Sequence, residues 1–139
     1  MTGRDDARAI TDVVEQYRRG FAALEPDVLV GLWDPAFSGI VYVAQEKSEP
    51  LRGWAAVEAY YRALPHVIPV AAAEEMRVTD LSVEVFGDVA LAFAKFHFVG
   101  QRRDGGGEFT ADGRVTFVLR RTEGQWRVVH YHESAPLRT

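Results

Sequence analysis

Cysteine is absent from the 139-residue sequence, and long apolar runs are missing as well. Without cysteine, the chain has no disulfide bond, no thiol nucleophile and no cysteine-ligated zinc site. No apolar run approaches the roughly 20 residues that a membrane-spanning helix requires. The opening residues Met1–Asp6 also lack the apolar stretch of a secretory signal peptide. These absences predict a cytoplasmic protein that has no membrane partner.

An excess of basic charge is missing too. The chain has 16 lysine and arginine residues against 20 aspartate and glutamate residues, which gives a formal net charge of -4. The basic residues are scattered along the sequence. Proteins that bind nucleic acid usually carry a clustered basic surface, so this pattern argues against nucleic acid as the main partner.

The composition that is present is typical of a globular protein. Hydrophobic residues make up 47% of the chain and charged residues 26%, which is close to the usual proportions. A chain of this length can bury roughly two thirds of the surface that it exposes when unfolded. We therefore expect residues 1–139 to form a single domain.

Helical periodicity dominates the first half of the sequence. Apolar residues recur at spacings of three and four, which predicts an amphipathic helix over Asp5–Leu24. Pro26 fits the first turn of a second, short helix, and Pro35 prevents this helix from continuing. A third helix is predicted over Trp54–Leu64, and Pro65 is expected to end it.

Alternating hydrophobicity predicts strands in the second half, where the period changes from about 3.6 to about 2 residues. A bulge is expected at Thr79-Asp80. Gly87-Asp88 and Glu123-Gly124 are two-residue hairpin signals, and residues 104–107 form a glycine-rich turn. The predicted strands, which include one earlier β-rich stretch, are Phe37–Val43, 74–86, Val89–Gln101, Gly113–Arg121 and Trp126–Ser134.

Three helices followed by about four long antiparallel strands indicate an α+β domain. The expected sheet is antiparallel and curved, and the three N-terminal helices pack on one of its faces. The strand Val89–Gln101 is apolar on both faces, and one face consists of Ala90, Ala92, Ala94, Phe96 and Phe98. Because a second apolar face requires a cover, we expect a homodimer that forms through the sheet.

The last predicted strand concentrates residues that could carry chemistry. Two histidines and a serine behind a tryptophan exceed what a plain core strand needs, so their face is expected to form the wall of a ligand pocket. Strict alternation assigns one face to Trp126, Val128, His130, His132 and Ser134, and the other to Arg127, Val129, Tyr131 and Glu133.

The order of the elements and the C-terminal sequence resemble the nuclear transport factor 2-like superfamily, and more narrowly its SnoaL-like branch. The resemblance rests on the stretches Gly113–Val118 and Gly124–Pro136. The second stretch is also similar to the association domain of calcium/calmodulin-dependent protein kinase II, which shares that fold. The resemblance implies a cone-shaped domain, usually dimeric, with a pocket between the curved sheet and the helices.

The resemblance does not fix an activity, because members of this superfamily include polyketide cyclases, ketosteroid isomerases, epoxide hydrolases, dehydratases and non-catalytic binders. The cyclases and isomerases use a buried aspartate or glutamate as general base. No carboxylate in this sequence stands at a clearly matching place. Asp88 and Asp112 are assigned to turns, and Glu84 is assigned to a surface face.

His130 is the residue predicted to transfer protons, because a neutral imidazole can accept or donate a proton near neutral pH. Lys95 and Arg114 are predicted to bind an anion and to stabilise an oxyanion. An inert alternative stays open for each of the three. His130 fits a hydrogen-bonded structural histidine, Lys95 fits a lysine that reaches the sheet rim or pairs with a carboxylate, and Arg114 fits a surface residue.

Ligand contacts are expected from a wider group of polar and aromatic residues, which comprises His97, Thr116, His132, Ser134, Tyr60, Trp33 and Tyr17. The aromatic members also fit the hydrophobic core, and the pattern is compatible with either position. His-x-His is a metal-ligand spacing, with His97 or Glu133 as a third ligand. Because Glu133 is assigned to the face opposite the histidines, no metal site is predicted.

Together, these residues predict a protein that binds a small apolar or aromatic molecule bearing a carboxylate or carbonyl group. As an enzyme, it would need no cofactor and would catalyse cyclisation, isomerisation or dehydration of a polyketide-like substrate by acid–base chemistry. Two alternatives stay open. One is a non-catalytic ligand-binding protein, and the other is an oligomeric assembly domain that acts through the outer face of its sheet.

Overall fold

Three helices and six strands follow one another in the computed structural model, which describes residues 3–137. The helices are α1 (Gly3–Ala22), α2 (Pro26–Val30) and α3 (Trp54–Val67). The strands are β1 (Val41–Val43), β2 (Leu51–Arg52), β3 (Val70–Phe86), β4 (Val89–Arg102), β5 (Glu108–Thr122) and β6 (Gln125–Ser134). The helical first part and the strand-rich second part confirm the predicted α+β class.

Helix α1 turns its apolar side toward the sheet, as its periodicity predicts. Ile10, Val14 and Tyr17 are buried on that side. Asp5 and Asp6 lie in the first turn, where carboxylates interact favourably with the helix dipole. Among the helices of residues 3–137, none combines the length and the apolar character that crossing a membrane demands.

Helix α3 corrects one expectation, because Pro65 lies inside the helix and not beyond its end. A proline has no N–H group, so in the last turn it costs the helix a single hydrogen bond. The backbone N–H of Ile68 closes this turn by donating to the carbonyl oxygen of Leu64 at 3.1 Å. The guanidinium of Arg103 also donates to the carbonyl oxygen of Pro65.

The strands form one curled, half-barrel sheet in the order β2-β1-β6-β5-β4-β3. Strands β3 to β6 are antiparallel, as predicted, whereas the short strand β1 lies parallel to β6. The bulge predicted at Thr79-Asp80 is present, since the β3–β4 register shifts between Thr79 and Ser82. Asp80 has a φ of 55°. Bulges bend a strand and increase its twist, which helps the sheet to curl.

A second irregularity lies between β5 and β6. Val118 pairs with His130 and Leu119 pairs with Val128, so Val129 is an additional residue in β6. One extra residue changes the face on which all following side chains of a strand lie. Before Val129, the even-numbered side chains of β6 lie on the inner face, and after Val129 the odd-numbered ones do.

The inner face of the sheet, which the helices cover, carries the hydrophobic core. Ala90, Ala92 and Ala94 are 0% exposed and belong to the same buried cluster as Ile10 and Val14 of helix α1. These small side chains allow a close approach of the helix layer. The expectation that this alanine row forms an outer dimer surface is therefore wrong.

Candidate functional site

A large, partly open cavity lies between the inner face of the sheet, the β1–β2 loop (residues 44–50) and helix α3. Its volume is about 1130 Å³, which is large enough for a small organic molecule. Most of its lining is apolar and includes Phe21, Ala59, Leu64, Phe96 and Phe98. The shape and lining suit a ligand with a largely apolar body.

Tyr131 and Glu133 are the residues of β6 that face the helices. Tyr131 lies opposite Phe117, and Glu133 lies opposite Val115, on the inner face of the sheet. Glu133 lines the large cavity and also a small hollow of about 30 Å³ next to it. The bulge at Val129 makes this arrangement possible, because it absorbs one residue and so keeps the buried side chains before and after it on the inner face.

The carboxyl group of Glu133 is in surroundings that disfavour its charged form. Its Oε1 accepts a hydrogen bond from the backbone N–H of Gln45 at 3.1 Å, and its Oε2 accepts one from the hydroxyl of Tyr131 at 2.8 Å. Both hydrogen bonds lower the pKa of Glu133, but burial, which is the largest cause, together with the Glu46 carboxyl raises this pKa to about 7. Such a group can accept or donate a proton at neutral pH.

All tyrosines of the chain belong to one cluster of ring contacts beside this carboxyl, namely Tyr17, Tyr42, Tyr60, Tyr61 and Tyr131. The rings of Tyr42 and Tyr131 stack with centroids 4.5 Å apart. The hydroxyl of Tyr61 donates to the hydroxyl of Tyr17 at 3.3 Å. Burial raises the pKa of every tyrosine in the cluster, so their hydroxyl groups stay protonated at neutral pH.

The rim of the cavity carries a second carboxyl group, that of Glu46. The hydroxyl of Tyr60 donates a hydrogen bond to Glu46 Oε1. The ammonium group of Lys47 lies 5.8 Å from the centre of the Tyr60 ring. Glu46 is exposed, whereas Glu133 is partly buried. Glu133 therefore lies in the interior of the cavity, and Glu46 lies at its solvent-exposed rim.

His130 and His132 lie on the outer face of the sheet, so the expected position in the pocket wall is wrong. His130 lies opposite Val118, and His132 lies opposite Thr116, in the outward-facing rows. The alternation correctly separated both histidines from Glu133, but the pocket is on the side of the glutamate. Burial, and after it the charge of His132, lower the pKa of His130.

The other polar residues expected in the pocket share this outer face: Lys95, His97, Arg114, Thr116 and Ser134. Lys95 lies directly opposite Arg114, and Arg114 lies directly opposite Ser134. Lys95, His97 and Arg114 border a shallow hollow of about 430 Å³. The structure thus brings the predicted residues together, but on the side of the sheet that faces away from the helices.

Lys95 is not the buried unpaired charge that motivated an anion site inside a pocket. Its side chain is 58% exposed, and its ammonium group lies 3.7 Å from the carboxylate of Asp80. The Arg114 Nε–H donates to the hydroxyl oxygen of Ser134 at 3.1 Å. His97 Nδ1 lies 2.6 Å from Asp112 Oδ1. The geometry agrees with the inert alternative for Lys95, in which it pairs with a carboxylate.

The three aromatic residues expected at the ligand lie on the inner side. Tyr60 lines the large cavity, and Tyr17 lines the small hollow. Trp33 is 1% exposed and belongs to the core, where its indole N–H donates to the hydroxyl of Tyr61 at 3.2 Å. Within residues 3–137, no three metal-ligating side chains come together as a group.

Glu133 is the candidate that reasoning from the sequence missed, and one signal could have found it. The residues Val115, Phe117 and Leu119 form an unbroken apolar row on β5, whereas Arg114 and Thr116 begin the alternate row. Pairing β6 with that apolar row would have assigned Glu133 to the inside. Glu46 had no comparable signal, because it lies in an irregular loop.

Comparison with known proteins identifies the fold. A model of the SnoaL-like domain matches residues 10–138. A proposed dehydratase of the nuclear transport factor 2-like family from Streptomyces avermitilis is 21% identical, with a TM-score of 0.83 over 99% of this chain and 100% of that chain. A nuclear transport factor 2-like superfamily protein from Salmonella enterica is 22% identical, with a TM-score of 0.80 over 95% and 92%.

The structural similarity also includes a proposed calcium/calmodulin-dependent protein kinase II association domain from Xanthomonas campestris. It is 18% identical, with a TM-score of 0.75 over 96% of this chain and 89% of that chain. Identities this low show a shared fold and carry no activity across. No curated protein sequence matches this chain significantly.

Proposed function

The chain belongs to the SnoaL-like domain family, and from this premise we propose that it binds a small, uncharged, largely apolar molecule and transfers a proton through Glu133. The observation that carries the proposal is a carboxyl group with a pKa of about 7 at the junction of the large cavity and the small hollow. A pKa near the working pH suits general acid–base catalysis. The proton-transfer role expected for His130 is thereby given to Glu133.

The charges around the cavity favour an uncharged ligand. Glu133, Glu46 and Asp112 line the cavity, and Lys47 at the rim is the one cationic side chain among the described lining residues. A ligand carboxylate would meet groups of its own sign. A carbonyl or hydroxyl group on an apolar body fits better than the carboxylate that the sequence also allowed.

The reaction class that fits best is a cofactor-free elimination or isomerisation. The Glu133 carboxylate would take a proton from a carbon next to a carbonyl. The electron pair of that C–H bond would form a carbon–carbon double bond, and the π electrons of the carbonyl would move onto its oxygen. When the carbonyl re-forms, a β-hydroxyl group would leave as water with the proton from Glu133, or Glu133 would return the proton to another carbon. The Tyr60 hydroxyl lines the cavity and donates to Glu46 Oε1 in the unliganded protein, and it would turn from Glu46 to donate to the oxyanion.

A matched pair of probes tests the binding part of the proposal. 1-Naphthol and 1-naphthoate share one ring system and differ in charge. We expect 1-naphthol to raise the melting temperature of the protein, because it binds only the folded state, and 1-naphthoate to raise it much less. An Ala63→Trp variant, which narrows the cavity, should lose the effect. Equal stabilisation by the two probes, or none by 1-naphthol, would contradict the proposal.

A matched pair of variants tests the catalytic part. With any molecule that copurifies with the protein and is identified by native mass spectrometry, Glu133→Gln should abolish turnover, and His130→Ala should keep it. The loss in the glutamine variant is expected to exceed about 100-fold, which is typical when a general acid or base is removed. Binding without turnover in the unmodified protein would favour the second candidate, a non-catalytic ligand-binding protein.

We also propose that the outer face of the sheet forms a homodimer. Phe86, Val89 and Leu91 are 62%, 44% and 40% exposed on that face, and clustered exposed apolar side chains are typical of interfaces. Light scattering should give the mass of a dimer for the unmodified chain and of a monomer for Leu91→Asp. A monomer at all concentrations would disprove the dimer, and a larger ring would favour an assembly domain.

A further inference from the structure

The aromatic ring of Tyr131 is held in place by rings from three other elements. It stacks on Tyr42 of β1, with ring centroids 4.5 Å apart and the two planes 5° from parallel. Tyr17 of α1 stacks at 5.3 Å, and Phe117 of β5 makes an edge contact at 5.2 Å. Tyr131 itself is 3% exposed. Because a close-packed interior leaves such a ring little freedom, its hydroxyl group has one well-defined position.

The carboxyl group of Glu133 ends a longer and more flexible side chain, but a donor holds each of its oxygens. The hydroxyl of Tyr131 donates to Oε2 at 2.8 Å, and the backbone N–H of Gln45 donates to Oε1 at 3.1 Å. Ala44, the residue before Gln45, is 2% exposed and anchors that loop to the core. Two donors from anchored parts of the chain therefore fix the carboxyl group at the wall of the cavity.

We infer that Tyr131 is a positioning residue of the site, whose hydroxyl group orients the Glu133 carboxyl group and stabilises its ionised form for proton abstraction. This inference rests on the proposed role of Glu133. Proton transfer from carbon requires an aligned base, and a carboxyl group that rotates freely would lose this alignment. Burial raises the pKa of Tyr131, so the hydroxyl keeps its hydrogen and acts as a donor at neutral pH.

Other titratable groups around Glu133 come from several elements. They line the two spaces that Glu133 borders, and they are Tyr17 on α1, Glu46 and Lys47 on the β1–β2 loop, Tyr60 on α3 and Asp112 on β5. Burial, which is the largest cause, and Glu46 raise the pKa of Glu133, whereas the hydrogen bonds from Tyr131 and Gln45 lower it. Without the Tyr131 hydroxyl, Glu133 would be protonated over more of the neutral pH range and would accept a proton less often.

The test compares the pH titration of the Glu133 carboxyl carbon in the unmodified protein, in Tyr131→Phe and in the control Tyr61→Phe. Both variants remove one buried hydroxyl group from the tyrosine cluster and keep the ring. The hydroxyl of Tyr61 bonds with Tyr17 and Trp33 rather than with Glu133. Carbon NMR follows the titration, and comparison with Glu133→Gln identifies the signal.

We expect the Glu133 midpoint to rise by about one to two pH units in Tyr131→Phe, because a hydrogen bond to the charged form is lost. The midpoint should stay the same in Tyr61→Phe. An unchanged midpoint in Tyr131→Phe, or an equal rise in Tyr61→Phe, would overturn the inference but leave the proposed function standing. An ordinary glutamate midpoint in the unmodified protein would overturn the proposed function itself.

A second measurement needs no variant, so it decides the question even if Tyr131→Phe does not fold. In the unmodified protein, the ring carbon Cζ of Tyr131, which carries the hydroxyl group, is assigned from the backbone resonances. Its chemical shift should change as Glu133 titrates, because the acceptor of its hydrogen bond loses its charge. A Cζ signal that does not move through the Glu133 midpoint would overturn the inference.

Discussion

The inner and outer faces of β6 carry titratable side chains only a residue apart, yet the two faces provide opposite surroundings. On the inner face, Glu133 lies in an apolar cavity and its pKa is raised to about 7. On the outer face, Ser134 accepts a hydrogen bond from the exposed Arg114. Polar side chains of one strand thus become a candidate for chemistry on one face and surface contacts on the other.

The difference shows that the site is identified by a titratable group that is buried beside a cavity. The presence of polar residues alone does not identify it. Seven polar candidates from the sequence cluster on the outer face, namely Lys95, His97, Arg114, Thr116, His130, His132 and Ser134. The charged side chains of this group are screened by water, so their interactions are weak. On the inner face, burial of a single carboxyl group raises the pKa of Glu133.

Insertion of one alanine between Tyr131 and His132 should break the comparison most strongly. With this extra residue, either Tyr131 or Glu133 must turn to the outer face, because side chains alternate along a strand. The free energy of unfolding should then fall by at least about 3 kcal/mol. Urea unfolding followed by circular dichroism measures this loss. Insertion of one alanine after Gly106 in the exposed β4–β5 turn is the control, and an equal loss there would contradict the explanation.

Replacement of Glu133 by glutamine should remove a pH dependence of stability. The pKa of this group is raised from 4.5 to about 7 in the folded protein, so the folded state holds more protons than the unfolded state between these values. Its stabilising contribution is complete below pH 4.5 and is lost as the pH rises through 7. Across this window, the free energy of unfolding should fall by about 3 kcal/mol more for the unmodified protein than for Glu133→Gln.

Urea unfolding at a series of pH values gives this difference directly, because other titrating groups, including His130, are common to both proteins. Parallel stability curves for the two proteins would show that Glu133 is not perturbed.

Changes of side-chain size on the two faces of β4 should have unequal effects. Ala92 is 0% exposed on the inner face, and Leu91 is 40% exposed on the outer face. Ala92→Leu overfills the core and should lower the free energy of unfolding by about 1–3 kcal/mol. Leu91→Ala should lower it by about 0.5 kcal/mol when the protein is dilute and monomeric. Thermal unfolding compares the two variants, and a larger cost for Leu91→Ala at high concentration would reveal the proposed dimer.

Replacement of His130 by alanine should have the smallest effect. Its side chain lies on the outer face and outside the cavity, so stability should change by no more than about 0.5 kcal/mol. The response of the protein to 1-naphthol should also stay the same. A loss of the naphthol response in His130→Ala, measured by thermal shift, would return the histidine to the site.

Periodicity and turn residues were sufficient to predict most of the fold. The apolar spacing of α1, the Gly87-Asp88 hairpin and the bulge at Thr79-Asp80 depend on local chemistry, which the sequence displays directly. Helix α3 extended past Pro65 because a single missing hydrogen bond in a last turn is tolerable. Local rules were therefore accurate for these elements, except at the end of α3.

The site could be predicted only in part, because it depends on a non-local pairing. Alternation separated His130 from Glu133 correctly, but it could not say which face the helices cover. The additional residue Val129 becomes visible only when β6 is paired with β5. Glu46 reaches the cavity through the path of an irregular loop, and no period in the sequence encodes that path.

The most direct test of the central claim is the pKa of Glu133 in the unmodified protein. Carbon NMR of glutamate carboxyl carbons, with Glu133→Gln for assignment, measures it without knowledge of the ligand. We expect a midpoint near 7, because burial and the neighbouring carboxyl group both disfavour the charged form. A midpoint near the ordinary value of 4.5 would contradict the claim that the inner face of β6 holds the proton-transfer group.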